Sequence, residues 1–189
     1  RHGAFSWRLA HRPDRLMPDP SRPDWSGRLT RLRARVPGDV GALVISAPVN
    51  LQYLIGYTGS AGLLVITREE AWLLADGRYE LTIQQSVAGS RIGPVTFERV
   101  AGRYEAALVA LLARTETDAV GFEADHVSVA LLSRWQRAAP QVRWRPIEQV
   151  VETLRSVKGA REIATLRRAG QRLAAVAAEL RQWVRLHRA

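Results

Sequence analysis

Tyr53-Leu54-Ile55-Gly56-Tyr57-Thr58-Gly59-Ser60-Ala61-Gly62, followed one short hairpin later by Asp76-Gly77-Arg78-Tyr79, is the stretch on which the reading of the fold turns. Between the two segments lie residues 62–67 and 71–75, apolar runs that flank Arg68-Glu69-Glu70. Runs of that length around a polar triplet read as two strands of an antiparallel hairpin. Gly59 and Gly62 supply the backbone freedom for the turn into the first of them. Upstream, residues 50–55 read as a helical turn. Residues 40–46, bounded by Pro37-Gly38 and Pro48, read as a buried strand. Downstream, residues 78–87 read as a helix with Leu81 and Ile83 toward the core.

The pattern continues on both sides. A short helix is expected over 28–35, with Leu29, Leu32 and Val36 on one face. Residues 95–100 read as a strand. Residues 104–113 read as a helix with Leu108, Leu111 and Leu112 on its buried stripe. A strand over 119–123 and a helix over 128–138 follow, the helix capped by Ser128 or Asp125. Residues 141–145 place Val142 and Trp144 on one face of a final strand. Strands alternating with helices predict an α/β domain whose sheet is covered by helices, and the hairpin makes that sheet mixed. Residues 148–157 read as helical. Gly159 interrupts the pattern, and a long helix is expected from about Ala160. Its apolar stripe comprises Ile163, Leu166, Leu173, Val176, Ala177, Leu180 and Val184, a surface that calls for a packing partner. With that stripe facing water, concentration-dependent association or fraying of the helix is expected.

Residues 1–27 carry Pro and Trp with no apolar period and are expected to form a loose tail. The chain opens on Arg1, which fits a processed, trimmed or incompletely read chain. Met17, the one Met, is an alternative start. Cysteine is absent, which excludes disulfides and thiolate metal sites and fits a cytoplasmic location. No apolar run approaches the roughly 20 residues that span a bilayer, and no secretory signal is visible. The net charge of +10 is unevenly placed: residues 1–35 carry +6, residues 155–189 carry +7, and the body between them carries −3. A nucleic-acid surface is therefore the last-ranked reading of the basicity.

Catalytic signatures are sparse. His2, His11, His126 and His187 stand without a ligand partner at metal spacing. There is no phosphate-binding glycine loop and no nucleophile elbow around Ser60, which reads as a turn hydroxyl. Trp72, Trp135 and Trp144 fall in regular elements and read as packing residues. Asp76 reads as the cap of the helix after it. Arg78 has two readings: an ion pair with Asp76, or a guanidinium offered to an anionic or carbonyl group of a ligand.

Taken in order, 39–46, 50–62, Asp76-Gly77-Arg78-Tyr79, Val120-Gly121-Phe122-Glu123, and Leu154-Arg155-Ser156-Val157-Lys158 with Glu162-Ile163 and Arg167-Arg168-Ala169 resemble the N-terminal domain of the aminopeptidase P, prolidase and creatinase family. The resemblance covers about residues 28–180, and Thr-Gly-Ser-Ala-Gly with Asp-Gly-Arg-Tyr leans toward Xaa-Pro aminopeptidases. It implies a ribonuclease H-like α/β domain over 28–154. Residues 155–189 would then be a linker and helix leading to a pita-bread catalytic domain. That domain would hold two divalent metals, manganese or zinc, on two Asp, one His and two Glu, all expected beyond Ala189. This segment alone is thus expected to hold no cofactor and to be inactive. The resemblance also implies a homodimer, a peptide substrate with proline second, and a substrate pocket to which Arg78 and Tyr57 contribute. The competing expectation is a stand-alone interaction module of the same fold.

Overall fold

The computed structural model describes residues 6–7 and 23–186. The chain divides into two units, one built on Asp24–Arg155 and one that includes the chain from Ser156 on. In chain order the elements are β1 (Ser6–Trp7), α1 (Trp25–Arg33), β2 (Ala42–Ile45), α2 (Pro48–Ile55), β3 (Leu63–Thr67) and β4 (Ala71–Asp76). A 3₁₀ turn (Gly77–Tyr79) leads into α3 (Glu80–Ala88), then β5 (Thr96–Val100), α4 (Tyr104–Arg114), β6 (Ala119–Glu123), α5 (Val129–Ala138), β7 (Arg143–Ile147), α6 (Glu152–Ser156) and α7 (Ala160–Leu186).

The strands form one mixed sheet in the order β1-β5-β4-β3-β2-β6-β7. The β2–β3 and β3–β4 pairs are antiparallel, with Val44 opposite Val65 and Val65 opposite Trp72. The β4–β5, β2–β6 and β6–β7 pairs are parallel. Parallel neighbours need helical crossovers, and those helices cover both faces. Burial on both faces explains why β2, β3 and β4 read as continuous apolar runs. Leu43, Ile45, Leu64, Ile66 and Leu73 join a core with α1, α2, α3 and Leu154. Their neighbours Val44, Val65, Trp72 and Leu74 join a second core with α4 and α5. The period of two in a strand sends successive side chains to opposite faces.

Local chemistry sets the helix ends. Asp24 caps α1, its carboxylate accepting the Gly27 N–H at 2.8 Å. Pro48 stands in the first turn of α2, where its missing N–H costs nothing. Gly56 closes α2 in the left-handed region at φ 77°, and its N–H bonds the Gln52 carbonyl. Ser128 caps α5 through the Leu131 N–H at 3.2 Å. Trp135 is fully buried and stacks on Trp144 at 5.3 Å between ring centroids.

Several expectations need correction. Leu81 is 65% exposed while Ile83 is buried. Two residues apart on an α-helix are about 200° apart in azimuth, so both cannot face one core. Residues 148–151 are not helical, and α6 begins only at Glu152. The last strand lies two residues downstream of the expected span, because Gln141 and Val142 still belong to the turn after α5. In the expected N-terminal tail, Ser6–Trp7 pairs antiparallel with Phe97 and Glu98, and α1 already starts at Trp25. A two-residue strand has no period to read. The rest of that tail, 1–5 and 8–22, lies outside the described residues.

The second unit is dominated by α7, 27 residues long, about 40 Å at 1.5 Å per residue. Leu166, Leu173, Val176, Leu180 and Trp183 are exposed along it. Among the described residues no helix is long and apolar enough to cross a membrane.

Candidate functional site

Asp76 ends β4 and caps the turn after it, its Oδ1 accepting the Arg78 N–H at 3.0 Å. The same carboxylate takes the Arg78 guanidinium in a two-point grip, Nε–H to Oδ1 at 2.9 Å and Nη2–H to Oδ2 at 2.8 Å. Tyr104, in the first turn of α4, completes the arrangement. Its hydroxyl accepts the Asp76 N–H at 3.2 Å and donates to Oδ2 at 3.3 Å. The guanidinium hydrogen bond holds the Asp76 carboxyl down at about 2, and the same bond raises Arg78. The Arg78 side chain is nevertheless 74% exposed. The result is a permanent cation, fixed in orientation on one edge and open to solvent.

Tyr57 reaches the same end of the sheet from beneath. It is buried, and its hydroxyl donates to the Ala61 carbonyl at 2.6 Å. Burial raises its pKa above the ordinary phenol value. The loop from Thr58 to Gly62 folds over the ring so closely that a Cβ at Gly59 would lie 2.1 Å from the Tyr57 hydroxyl oxygen. Tyr79 links the two candidates. Its ring meets Tyr57 edge-on at 5.9 Å, its hydroxyl bonds the Ser60 hydroxyl at 2.7 Å, and the Arg78 guanidinium lies 5.5 Å from its ring centroid.

Both sequence candidates therefore converge, Arg78 as an exposed group and Tyr57 as the support of the loop beside it. The ion-pair reading of Arg78 is seen directly, and the pairing with Asp76 leaves the guanidinium exposed. Asp76 at position i−2 of Arg78 was legible as a partner. Tyr104 was not, because it lies 28 residues from Asp76. The exposed guanidinium can still donate hydrogen bonds to an anionic or carbonyl group and orient it. Among the described residues the Ser60 hydroxyl meets the Tyr79 hydroxyl, which is no general base for it.

A second polar cluster lies at the carboxyl end of β6. Glu123, buried, accepts the N–H groups of Ser46 at 2.6 Å and Ala47 at 2.9 Å, and the Asn50 amide at 2.7 Å. Asn50, also buried, donates to Glu152 at 2.6 Å and accepts from Arg155 at 3.1 Å. Ala47 offers α2 no side-chain cap, and Glu123 fills that role from another strand. Sequence spacing gave no sign of it, since the partners lie 73 to 105 residues apart. Among the described residues no group of three or more His, Cys, Asp or Glu could hold a metal ion.

This architecture has known counterparts. The family described as the creatinase/prolidase N-terminal domain matches residues 28–157, and the chain belongs to that family. An uncharacterized peptidase, YqhT of Bacillus subtilis (strain 168), is 27% identical over 135 residues, covering 70% of this chain and 36% of that protein. The Xaa-Pro dipeptidase from Bacillus anthracis superposes with a TM-score of 0.77 at 22% identity, over 85% of this chain and 44% of that one. The N-terminal domain of the cytoplasmic peptidase PepQ from Mycobacterium tuberculosis H37Rv gives a TM-score of 0.58 at 25% identity, over 68% of this chain and 98% of that one. The chain thus spans less than half the length of the first two, and the likeness to the third is to a separate N-terminal domain.

Proposed function

We propose that residues 28–154 are the non-catalytic N-terminal domain of an Xaa-Pro peptidase of the aminopeptidase type, with residues 155–189 leading toward its catalytic domain. The observation that carries this reading is the Arg78 guanidinium, locked by Asp76 yet 74% exposed. In the complete enzyme it borders the substrate pocket and holds a carbonyl or carboxylate of a peptide whose second residue is proline. Tyr57 shapes that border by supporting the loop from Thr58 to Gly62. The hydrolytic chemistry belongs to two divalent metals, manganese or zinc, in the catalytic domain. The domain also contributes to a homodimer, and the enzyme is cytoplasmic, as the PepQ relative is named.

The test is Arg78→Ala in the complete enzyme. A raised KM or lowered kcat/KM toward peptides with proline second, with an unchanged melting temperature, supports the reading. Unchanged kinetics returns Arg78 to a purely structural pairing with Asp76. Sedimentation of the complete enzyme tests the dimer.

A further inference from the structure

A cavity of about 340 Å³ opens between the carboxyl end of α1, the turn into β2 and the β3–β4 hairpin. Arg33, Val36, Pro37, Val40, Ile66 and Arg68 are in its lining. It lies at the hairpin end of β3 and β4, where Thr67 closes one strand and Ala71 opens the other. Asp76 and Arg78 lie at the opposite end of β4, so the cavity is independent of the site around Arg78.

Its two arginines are held by backbone carbonyls. Arg33 donates from Nε to the Thr67 carbonyl at 2.8 Å and from Nη2 to the Glu70 carbonyl at 3.0 Å. Arg68 donates from Nη2 to the Gly38 carbonyl at 3.0 Å. Carbonyls orient a guanidinium without neutralising it. Among the described residues neither arginine has a carboxylate in ion-pair contact, whereas Arg31, Arg114 and Arg134 each have one. Arg33 is half-buried, and burial lowers its pKa. A partly desolvated cation without a counter-ion is costly, and an anion bound beside it removes that cost. Arg33 Nη1 and Arg68 Nε and Nη1 retain donors that the three carbonyls do not use. Beside Thr67, the rest of the lining is apolar or backbone, with Val36, Pro37, Val40 and Ile66 its larger side chains. Apolar walls with a few convergent charged groups are the usual make-up of a small-molecule site, and the volume falls within the usual range.

We propose that this cavity binds a small organic carboxylate, its anionic end on Arg33 and Arg68 and its short apolar body against Val36, Val40 and Ile66. Guanidinium groups also donate to phosphate, but the apolar walls give an inorganic ion nothing to contact.

Heteronuclear NMR titration of the whole chain with N-acetyl-leucine tests this. Saturable shifts at the Arg33 and Arg68 Nε–H signals and the amides of residues 36–42 are expected. N-acetyl-leucine amide, which lacks the charge, should bind about tenfold more weakly, the value of one charge-assisted hydrogen bond. Arg68→Gln, an exposed change that spares the Arg33 contacts to the hairpin, should weaken the carboxylate similarly. An absence of saturable shifts overturns the proposal. So does equal binding of the amide, or inorganic phosphate binding as tightly as the carboxylate.

Discussion

Asp76 holds Arg78 three times over, through two guanidinium nitrogens and the backbone N–H, and all three bonds are 3.0 Å or shorter. One carboxylate thus caps a turn and aims a cation. The two roles are separable by mutation, because Asn keeps the cap and loses the charge.

Asp76→Asn should leave the turn folded and free the Arg78 guanidinium. The Arg78 Nε–H signal, sharp and slow to exchange in the native chain, should broaden or vanish. The pH dependence follows from the lowered carboxyl. The Asp76–Arg78 contribution is complete above about 4, near the ordinary carboxylate value, and is lost as pH falls through about 2. Melting curves of the native chain and Asp76→Asn should therefore converge as pH drops across that window. Curves that stay parallel would remove the ion pair from the stability of the fold.

Glu123→Ala removes the acceptor of the Ser46 and Ala47 N–H groups and of the Asn50 amide. Each orphaned buried donor costs about 1–3 kcal/mol, so a loss of several kcal/mol is expected in chemical denaturation. Glu123→Gln should cost less, since one oxygen remains. A loss below about 1 kcal/mol for the Ala variant would show that water replaces the carboxylate without penalty.

Gly56→Ala should destabilise by about 1 kcal/mol or more, because the left-handed backbone at φ 77° disfavours a side chain. A Cβ there would also lie 2.3 Å from the Arg91 carbonyl. Gly38→Ala is the control: its Cβ meets nothing within 4 Å, its φ is not in the left-handed region, and its melting temperature should hold or rise. Equal losses at the two positions would contradict the close approach at Gly56.

Tyr57 should remain a neutral phenol for as long as the chain is folded. Burial raises its pKa, so its contribution is complete below the ordinary phenol value near 10 and is lost as pH rises beyond it. In an ultraviolet titration, Tyr57→Phe should remove absorbance only from the step that accompanies alkaline unfolding. A loss from the reversible step before unfolding would place the hydroxyl in solvent.

The architecture was legible where a short-range period exists. Apolar runs marked β2, β3, β4 and β6, the Leu108, Leu111 and Leu112 spacing marked α4, and Ser128 marked the start of α5. The candidate cluster was partly legible: Asp76 and Arg78 stand two residues apart, Tyr57 came only through the family resemblance, and Tyr79 and Tyr104 gave no sign as its partners. The Glu123 cluster left one unused sign, an acidic residue closing a strand whose other residues are apolar. Such a carboxylate needs donors, but a sequence does not say from where. The Arg33 and Arg68 cavity left none, because the carbonyls that hold those arginines, of Thr67, Glu70 and Gly38, lie 30 to 37 residues away in sequence.

Glu123 caps a helix begun 76 residues before it, and this sets an order of events at the ribosome. At synthesis rates of about 5–20 residues per second, some 4–15 s pass between the emergence of Ala47 and that of its carboxylate. Through that interval the amino end of α2 stays open, and the side of β2 that β6 will occupy is an unpaired apolar edge. The nascent chain is most exposed to wrong pairing while its first half is complete and its second half is still inside the tunnel. A stall before residue 119 would prolong that state.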